Sequence, residues 1–440
     1  MHPLVASPDR RRGGRRRSLR RLNLALALRC IADDDGFVSR ADISARTALN
    51  KSTSSSLVDE LIAGGLVREL GVTTRPSVGR PPTSLALVTH GPAGLGIEVN
   101  VDYVAACVVD LTGAVRYQHV VSRDQRGRSP EEVLRLAARL GGAAVRAVRQ
   151  SGLVPFGVAI AIPGMVDANA KKIILAPNLG WSDLDPAALL DPAELGLPQG
   201  LDVFVDNEAN FAALSERELL LTGTSYLYVF GEIGVGSGIV LGGNLYRGRN
   251  GWSGEIGHLT VERAGLPCGC GGRGCLEQYA GQEAILRASG VRTAVGTSLG
   301  VGPTATLIRE RAERGDTSML VALERAGRAL GVVIGNTMNL LDIDRVVLGG
   351  IYKELSDHLL PTIREEVTTR WAGARWSSPR IEAAVHGAEA PALGAARSVV
   401  RRVVDDPACW LGSDAAHRSS TGGTPRTPSG FEAAADPQPH

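Results

Sequence analysis

Three of the six cysteines of this 440-residue chain stand in one short glycine-rich stretch, PCGCGGRGC, at residues 267–275. Only one residue separates Cys268 from Cys270, so a disulfide between them would be badly strained. A tetrahedral metal site needs a fourth ligand, and His258 in GEIGH is close enough in sequence if the chain folds back. A single cysteine is more often a small buried hydrophobic residue, but this cluster predicts a zinc site formed by His258, Cys268, Cys270 and Cys275.

The other cysteines and the overall composition indicate a cytoplasmic protein. Hydrophobic residues make up 44% of the chain, enough for the cores of two or three domains. There is no apolar run long enough to span a membrane, and no secretory signal follows the arginine-rich N-terminus, so we expect no membrane partner. The remaining cysteines are scattered singly, as reduced thiols usually are: Cys30, Cys107 and Cys409.

Positive charge is concentrated at the N-terminal end of the chain. Residues 1–90 contain 15 Lys and Arg against 8 Asp and Glu, a net charge of +7, whereas the whole chain carries +2. The remaining residues therefore carry −5. A basic segment ahead of a mildly acidic body predicts binding to a polyanion. The alternative for the run RRRGGRRRSLRR alone is a solvated tail without function.

The pattern of residues 19–90 is typical of a winged helix-turn-helix. A first helix is predicted from apolar residues at helical spacing, namely Leu19, Leu22, Leu26 and Cys30. Ser39 with Asp42 three residues later is a capping-box pattern that begins a second helix. Asn50 can cap a third helix, which buries Ser54, Leu57, Val58 and Leu61 and ends at the glycines 64–65.

The outward face of the third helix consists of short polar side chains and one lysine, which suits the major groove of DNA. Two strands, LVREL and SLALV, are predicted on either side of a wing that contains two arginines. These arginines are expected near the DNA backbone or the minor groove. The predicted DNA contacts are Lys51, Ser52, Thr53, Ser56, Arg75 and Arg80.

After residue 94 strands alternate with helices, the order of an α/β fold with crevices at strand ends. We therefore predict four segments. Residues 1–18 form a basic disordered arm, 19–90 the winged helix-turn-helix, 94–404 an α/β body with the zinc loop, and 412–440 a disordered tail.

Several ordered motifs of the body resemble the ROK family of repressors and sugar kinases. They are IPGMVD, VDNEANFAALSE, GVGSGIVLGGNLYRGRNGWSGEIGHLTV, CGCGGRGCLEQYA and VVLGG. The resemblance implies a two-lobed, actin-like and hexokinase-like ATPase fold. It places His258 and the three clustered cysteines on the family's zinc ligands. It also implies that a small sugar is bound by Asn207, Glu208, Glu255, His258 and Glu277.

The same resemblance distinguishes a sensor from a kinase. Kinases of the family carry a glycine- and threonine-rich first phosphate cradle, where this chain has EVNVD at 98–102, and a second one, where it has EIG at 232–234. Carboxylates near a triphosphate repel it, so both cradles fail the requirements of phosphoryl transfer. The sequence thus predicts a protein that is not an enzyme: a sugar-responsive repressor, acting as a homodimer or dimer of dimers and released from operator DNA by sugar. The alternative is a sugar kinase with an added DNA-binding domain.

Overall fold

The computed structural model describes residues 8–34, 38–72, 83–167, 170–190, 192–197, 202–220, 223–291 and 301–418. The first domain contains three helices and a small sheet: α1 (Pro8–Ala32), β1 (Val38–Ser39), α2 (Arg40–Thr47), α3 (Lys51–Ala63), β2 (Val67–Val72) and β3 (Thr83–Leu87). The strands are ordered β1-β3-β2, with antiparallel pairing throughout. This is the arrangement expected of a winged helix-turn-helix, although the wing arginines Arg75 and Arg80 lie outside the described residues.

The predicted caps of the second and third helices are confirmed. Asp42 N–H donates to Ser39 Oγ at 3.3 Å, and Ser39 N–H donates to the Asp42 carboxylate at 2.9 Å, which completes a capping box. Asn50 Oδ1 accepts from Thr53 N–H at 2.8 Å at the start of α3. The buried face of α3 is also as predicted: Ser54, Leu57, Val58 and Leu61.

Two expectations for α1 are wrong. Residues 8–18, expected to form a disordered arm, are helical, because α1 begins at Pro8. The predicted apolar face is also incorrect, since Leu19 and Leu22 are more than half exposed. The stretch LNLALALRCIA is apolar on more than one face, so spacing alone does not select the buried one. The face that packs into the domain core contains Leu24, Ala27, Leu28 and Ile31.

The first lobe of the body is a mixed five-stranded sheet of order β11-β7-β4-β5-β6. Its elements are β4 (Gly91–Val99), β5 (Tyr103–Asp110), β6 (Val115–Ser122), α4 (Pro130–Arg149), β7 (Leu153–Ile162), β11 (Val203–Asn207) and α7 (Glu208–Glu216). A small antiparallel sheet and two short helices lie between β7 and β11: β8 (Met165–Asp167), β9 (Lys172–Ala176), β10 (Trp181–Leu184), α5 (Pro186–Leu189) and α6 (Pro192–Leu195).

The second lobe is a five-stranded sheet of order β14-β13-β12-β15-β16. Its elements are β12 (Tyr226–Gly231), β13 (Val235–Leu241), β14 (Asn244–Leu245), α8 (Glu277–Ala280), α9 (Gln282–Ala288), α10 (Val301–Glu313), α11 (Thr317–Leu341), β15 (Arg345–Gly350), α12 (Ile351–Glu354), α13 (Ser356–Arg370) and β16 (Arg380–Ala383). Two further helices follow, α14 (Ala390–Asp405) and α15 (Pro407–Arg418). The α/β class and the two-lobed body are as predicted.

Helix α14 packs against β4 on one side and α7 on the other, at distances that only glycine permits. A Cβ on Gly96 would lie 2.0 Å from the Ala392 carbonyl oxygen, and one on Gly94 would lie 2.2 Å from that of Ala396. On the other side, a Cβ on Gly394 would lie 1.7 Å from the Phe211 carbonyl oxygen. The backbones of three elements therefore meet without intervening side chains.

The C-terminal helix joins the body to the N-terminal winged domain. Trp410 Nε1–H donates to the Gly64 carbonyl oxygen at 3.1 Å, and its ring lies edge-on to Phe156 at 5.8 Å between centroids. Arg29 pairs with Asp405 at 2.9 Å. Residues 412–418, expected to begin a disordered tail, are part of α15; residues 419–440 lie outside the described part of the chain. Within the described residues, no helix combines the length and apolarity needed to cross a membrane.

The close approach of α14 to β4 predicts that Gly96→Ala destabilises the body by about 1–3 kcal/mol, because the added methyl group overlaps backbone atoms that cannot move independently. Urea denaturation measures the change in the free energy of unfolding. Gly412→Ala is the matched control, since a Cβ there has no neighbour within 4 Å. Equal stability of the Gly96 variant and the wild type would show that the helix and strand are not packed this closely.

Candidate functional site

The candidate sugar-binding residues of the first lobe lie where β11 ends and α7 begins. Asn207 caps α7: its Oδ1 accepts from Ala209 N–H at 2.8 Å, while its amide group donates to the Gly164 carbonyl oxygen at 2.9 Å. Glu208 is the first residue of the helix, and one of its carboxyl oxygens is buried without a hydrogen-bond partner among the described residues. Burial, and then the nearby carboxylates of Glu98 and Glu255, raise the pKa of Glu208 well above its usual value.

Glu255 and His258 are held by a loop that packs tightly on β13. A Cβ on Gly254 would lie 2.2 Å from the Ser237 carbonyl oxygen, and one on Gly257 would lie 2.1 Å from that of Val235. The two glycines of GEIGH therefore allow backbone-to-backbone contact with the strand. The carboxylate of Glu255 lies 3.9 Å from His258 Nε2 and is close enough to Glu208 to raise its pKa.

His258 and the three cysteines come together as the sequence predicts. Their ligand atoms all lie within 4.8 Å of one another. His258 Nδ1 is 3.8 Å from Cys268 Sγ, and Cys270 Sγ is 3.7 Å from Cys275 Sγ. A regular tetrahedron around zinc with bonds of about 2.3 Å has edges of about 3.8 Å, so this donor set fits a structural zinc ion in both chemistry and size.

Glu277 connects this cluster to the cleft. It is the first residue of α8, two residues after Cys275, and its Oε1 lies 3.7 Å from Cys268 Sγ. Its other carboxyl oxygen, Oε2, lies beside Gly234. A Cβ added to Gly234 would lie only 2.5 Å from this oxygen. Glu255, His258 and Glu277 are therefore neighbours around the metal-binding loop. Burial raises the pKa of Glu255, and the carboxylate of Glu277 adds to this effect.

Three glutamates, two of them from the segments 98–102 and 232–234 that were compared with kinases, form one buried cluster. Glu98, at the end of β4, Glu208 and Glu232, after β12, have carboxyl oxygens within 4.8 Å of one another. Asn100 Nδ2 donates to Glu232 across the cleft at 2.5 Å and to Glu98 at 3.3 Å. The sequence shows that glutamates stand at positions 98 and 232, but it does not show that these two side chains lie close together.

Tyr103 is a member of this cluster that sequence reasoning missed. Its hydroxyl forms a short hydrogen bond with Glu98 and lies 3.2 Å from Glu232 Oε1. The residue begins an otherwise apolar strand and is buried, so its sequence context resembles that of an ordinary core tyrosine. Its position differs from that of an ordinary core tyrosine only in the acidic side chains that its hydroxyl contacts.

The predicted DNA-contacting face lies at the exposed start of α3. Lys51, Ser52 and Ser56 are exposed, while Thr53 is half-buried. The Ser52 hydroxyl donates to the Asn50 side chain at 2.8 Å, which leaves its oxygen free to accept a hydrogen bond from a partner. Ser54 between them is fully buried and faces the domain core.

Comparison with known proteins supplies a family for this architecture. The family model described as "ROK family" matches residues 94–402, which is more than half of the chain. The xylose repressor of Bacillus spizizenii is 31% identical over 373 residues, which cover 84% of this chain and 92% of the repressor.

Two solved structures are similar in fold. One is a ROK family transcriptional regulator, a homologue of the Escherichia coli MLC protein, with a TM-score of 0.72 and 22% identity, covering 91% of this chain and 99% of that protein. The other is a ROK family glucokinase from Streptomyces griseus, solved with glucose and AMPPNP, with a TM-score of 0.58 and 27% identity, covering 70% and 99%. The chain belongs to the ROK family.

Proposed function

We propose that this protein is a sugar-responsive transcription regulator, a repressor that a sugar or sugar derivative releases from operator DNA. One observation carries the proposal: a winged helix-turn-helix is docked on a body in which Glu255, His258 and Glu277 lie around one loop, while Glu98 and Glu232 form a buried acidic cluster. The extent of similarity agrees with it, since the match to the regulator structure covers 91% of this chain and the match to the glucokinase 70%.

DNA binding is assigned to the start of α3, with Lys51, Ser52, Thr53 and Ser56 in the major groove. The wing arginines Arg75 and Arg80 add contacts to the backbone or the minor groove. A single winged domain buries little surface, so we expect a homodimer or a dimer of dimers that binds an inverted repeat in the cytoplasm. The docking of α15 on α1 and α3 supports transmission of a change in the body to this domain.

Sugar binding is assigned to Asn207, Glu208, Glu255, His258 and Glu277. A polyol offers many hydroxyl donors, and carboxylates are strong acceptors for them. Zinc held by His258, Cys268, Cys270 and Cys275 would have a complete protein ligand set and therefore a structural role. It would fix the loop that carries Glu255 and the start of α8 that carries Glu277.

Release from DNA requires that the sugar bind one arrangement of the two lobes more tightly than another. Glu208 follows the first sheet, whereas Glu255 and Glu277 belong to the second lobe. A sugar in contact with both sides therefore favours one lobe arrangement. The factor by which the sugar changes DNA affinity cannot exceed the ratio of the sugar's affinities for the two lobe arrangements.

A mobility-shift titration on the DNA upstream of the protein's own gene tests this function. We expect binding at moderate salt that one member of a panel of pentoses, hexoses and amino sugars weakens at least about tenfold, a coupling of about 1.4 kcal/mol. Absence of binding to any such fragment by the intact dimer would contradict the assignment.

Two variants separate the roles of body and DNA-binding domain. Glu255→Ala is expected to bind operator normally and to lose the sugar response. Lys51→Ala is expected to weaken operator binding and to leave sugar affinity, measured by calorimetry, unchanged. Glu365→Gln, at an exposed position of α13, is the control for both measurements. Normal sugar affinity in the Glu255 variant would refute the placement of the sugar.

The kinase alternative makes a different prediction in an ATP-coupled assay on the same sugar panel. We expect no turnover, because Glu98 and Glu232 occupy the positions of the two phosphate cradles and are held there by Asn100. Phosphorylation of any common sugar at an ordinary enzymatic rate would establish a kinase and overturn the sensor assignment.

Metal analysis tests the zinc assignment. We expect one zinc per chain in the wild type, and both a lower zinc content and a lower unfolding temperature in Cys270→Ser, because one of four ligands is lost. Cys409→Ser is the control, since this thiol lies in α15, away from the cluster, and should retain zinc. A metal that chelators remove without change in stability or sugar binding would rule out a structural role.

A further inference from the structure

The buried carboxyl cluster crosses the cleft between the two lobes. Glu98, Asn100 and Tyr103 belong to the first lobe, and Glu232 follows β12 of the second. Two polar contacts bridge them: Asn100 Nδ2 to Glu232 at 2.5 Å, and the Tyr103 hydroxyl to Glu232 at 3.2 Å. Glu98 and Glu232 are both at most 4% exposed, so the contacts are shielded from water.

The donors in this cluster face inward. Asn100 Oδ1 accepts from Val101 N–H at 2.7 Å, which fixes the amide with its NH2 group toward Glu98 and Glu232. A metal ion would require oxygen ligands to face it, whereas here an amide and a hydroxyl donate into the cluster. These donors therefore disfavour a bound cation at this position, whereas burial and the crowding of three carboxyl groups favour their neutral form.

The hydrogen count also calls for additional protons. The Tyr103 hydroxyl has one proton and contacts both Glu98 and Glu232, so it can donate fully to only one of them. A proton on Glu232 makes the second contact a hydrogen bond as well. One oxygen of Glu98 and one of Glu208 have no partner among the described residues, and a proton on either would reduce the repulsion between groups this close.

We propose that Glu98, Glu208 and Glu232, with Asn100 and Tyr103, form a clasp across the cleft that is closed by shared protons and weakens as pH rises. This goes beyond the proposed function, because it needs neither sugar nor DNA. The charged groups that act on the three carboxyls are themselves acidic: Asp102 in the β4–β5 turn acts on all three, and Glu255 acts on Glu208.

The direction of the pH effect follows from the pKa values. Burial raises the pKa of Glu98 to about 8, and burial also raises those of Glu208 and Glu232 well above the usual value. A carboxyl whose pKa is raised on folding contributes its stability at low pH and loses it as pH rises through the folded value. The clasp should therefore weaken between roughly pH 5 and 9, as a coupled unit.

Thermal unfolding of the full-length protein from pH 5 to 9 tests the proposal. Glutamine mimics a protonated glutamate, so Glu98→Gln should come closest to the wild type at pH 5, unfold at a higher temperature near pH 9 and show a flatter pH dependence. Glu365→Gln should follow the wild type throughout. Hydrogen exchange of the β12–β13 hairpin should quicken with pH, beyond the intrinsic increase in amide exchange, in the wild type and less so in Glu98→Gln.

Three results would overturn the clasp. The first is a Glu98→Gln curve parallel to that of the wild type. The second is stabilisation of the wild type, but not of this variant, by millimolar Mg²⁺, Ca²⁺ or Mn²⁺, which would identify a cation site. If Glu98→Gln fails to fold, Glu232→Gln is used in its place for both of these comparisons. The third result needs no variant: absence of a protonated-carboxyl band in the infrared spectrum of the folded wild type at neutral pH.

Discussion

The contact between α14 and β4 is the constraint on which the rest of the structure depends. Gly94 and Gly96 let the helix lie directly on the strand, and Gly394 lets α7 approach from the other side. The end of β4 carries Glu98 and Asn100, while α7 begins with Glu208. The cleft residues are therefore positioned by backbone packing instead of flexible side chains. At its other end α14 leads into α15, which contacts the DNA-binding domain. One helix thus borders both the cleft and the domain that we assign to DNA.

The two halves of the cleft differ in their electrostatics. On one side, Glu255 and Glu277 lie beside the cluster of His258 and three cysteines, where we propose that they accept hydrogen bonds from a polyol. On the other, Glu98 and Glu232 are buried, and their burial favours the neutral form of each carboxyl group. Proteins named as repressors and as glucokinases share this fold, since function resides in the side chains of the site and not in the fold.

Short-range patterns in the sequence predicted much of this structure. The capping box of Ser39 and Asp42, the Asn50 cap and the buried face of α3 depend only on neighbouring residues, and each is confirmed. The grouping of His258 with the three cysteines was predictable because these residues are close together in the sequence. The buried face of α1 was not, since its apolar residues surround the helix and the choice depends on α14 and α15. The clasp was not predictable either, because Asn100 and Glu232 are 132 residues apart and meet only when the lobes do.

The central claim is that sugar and DNA act on one conformational equilibrium of the body. Calorimetric titration of the effector sugar into free protein and into the protein–operator complex tests it most directly. Linkage requires that the ratio of the two sugar affinities equal the ratio of operator affinities measured without and with saturating sugar. We predict weaker sugar binding to the complex, by that same factor. Equal sugar affinity for free and DNA-bound protein would contradict the account.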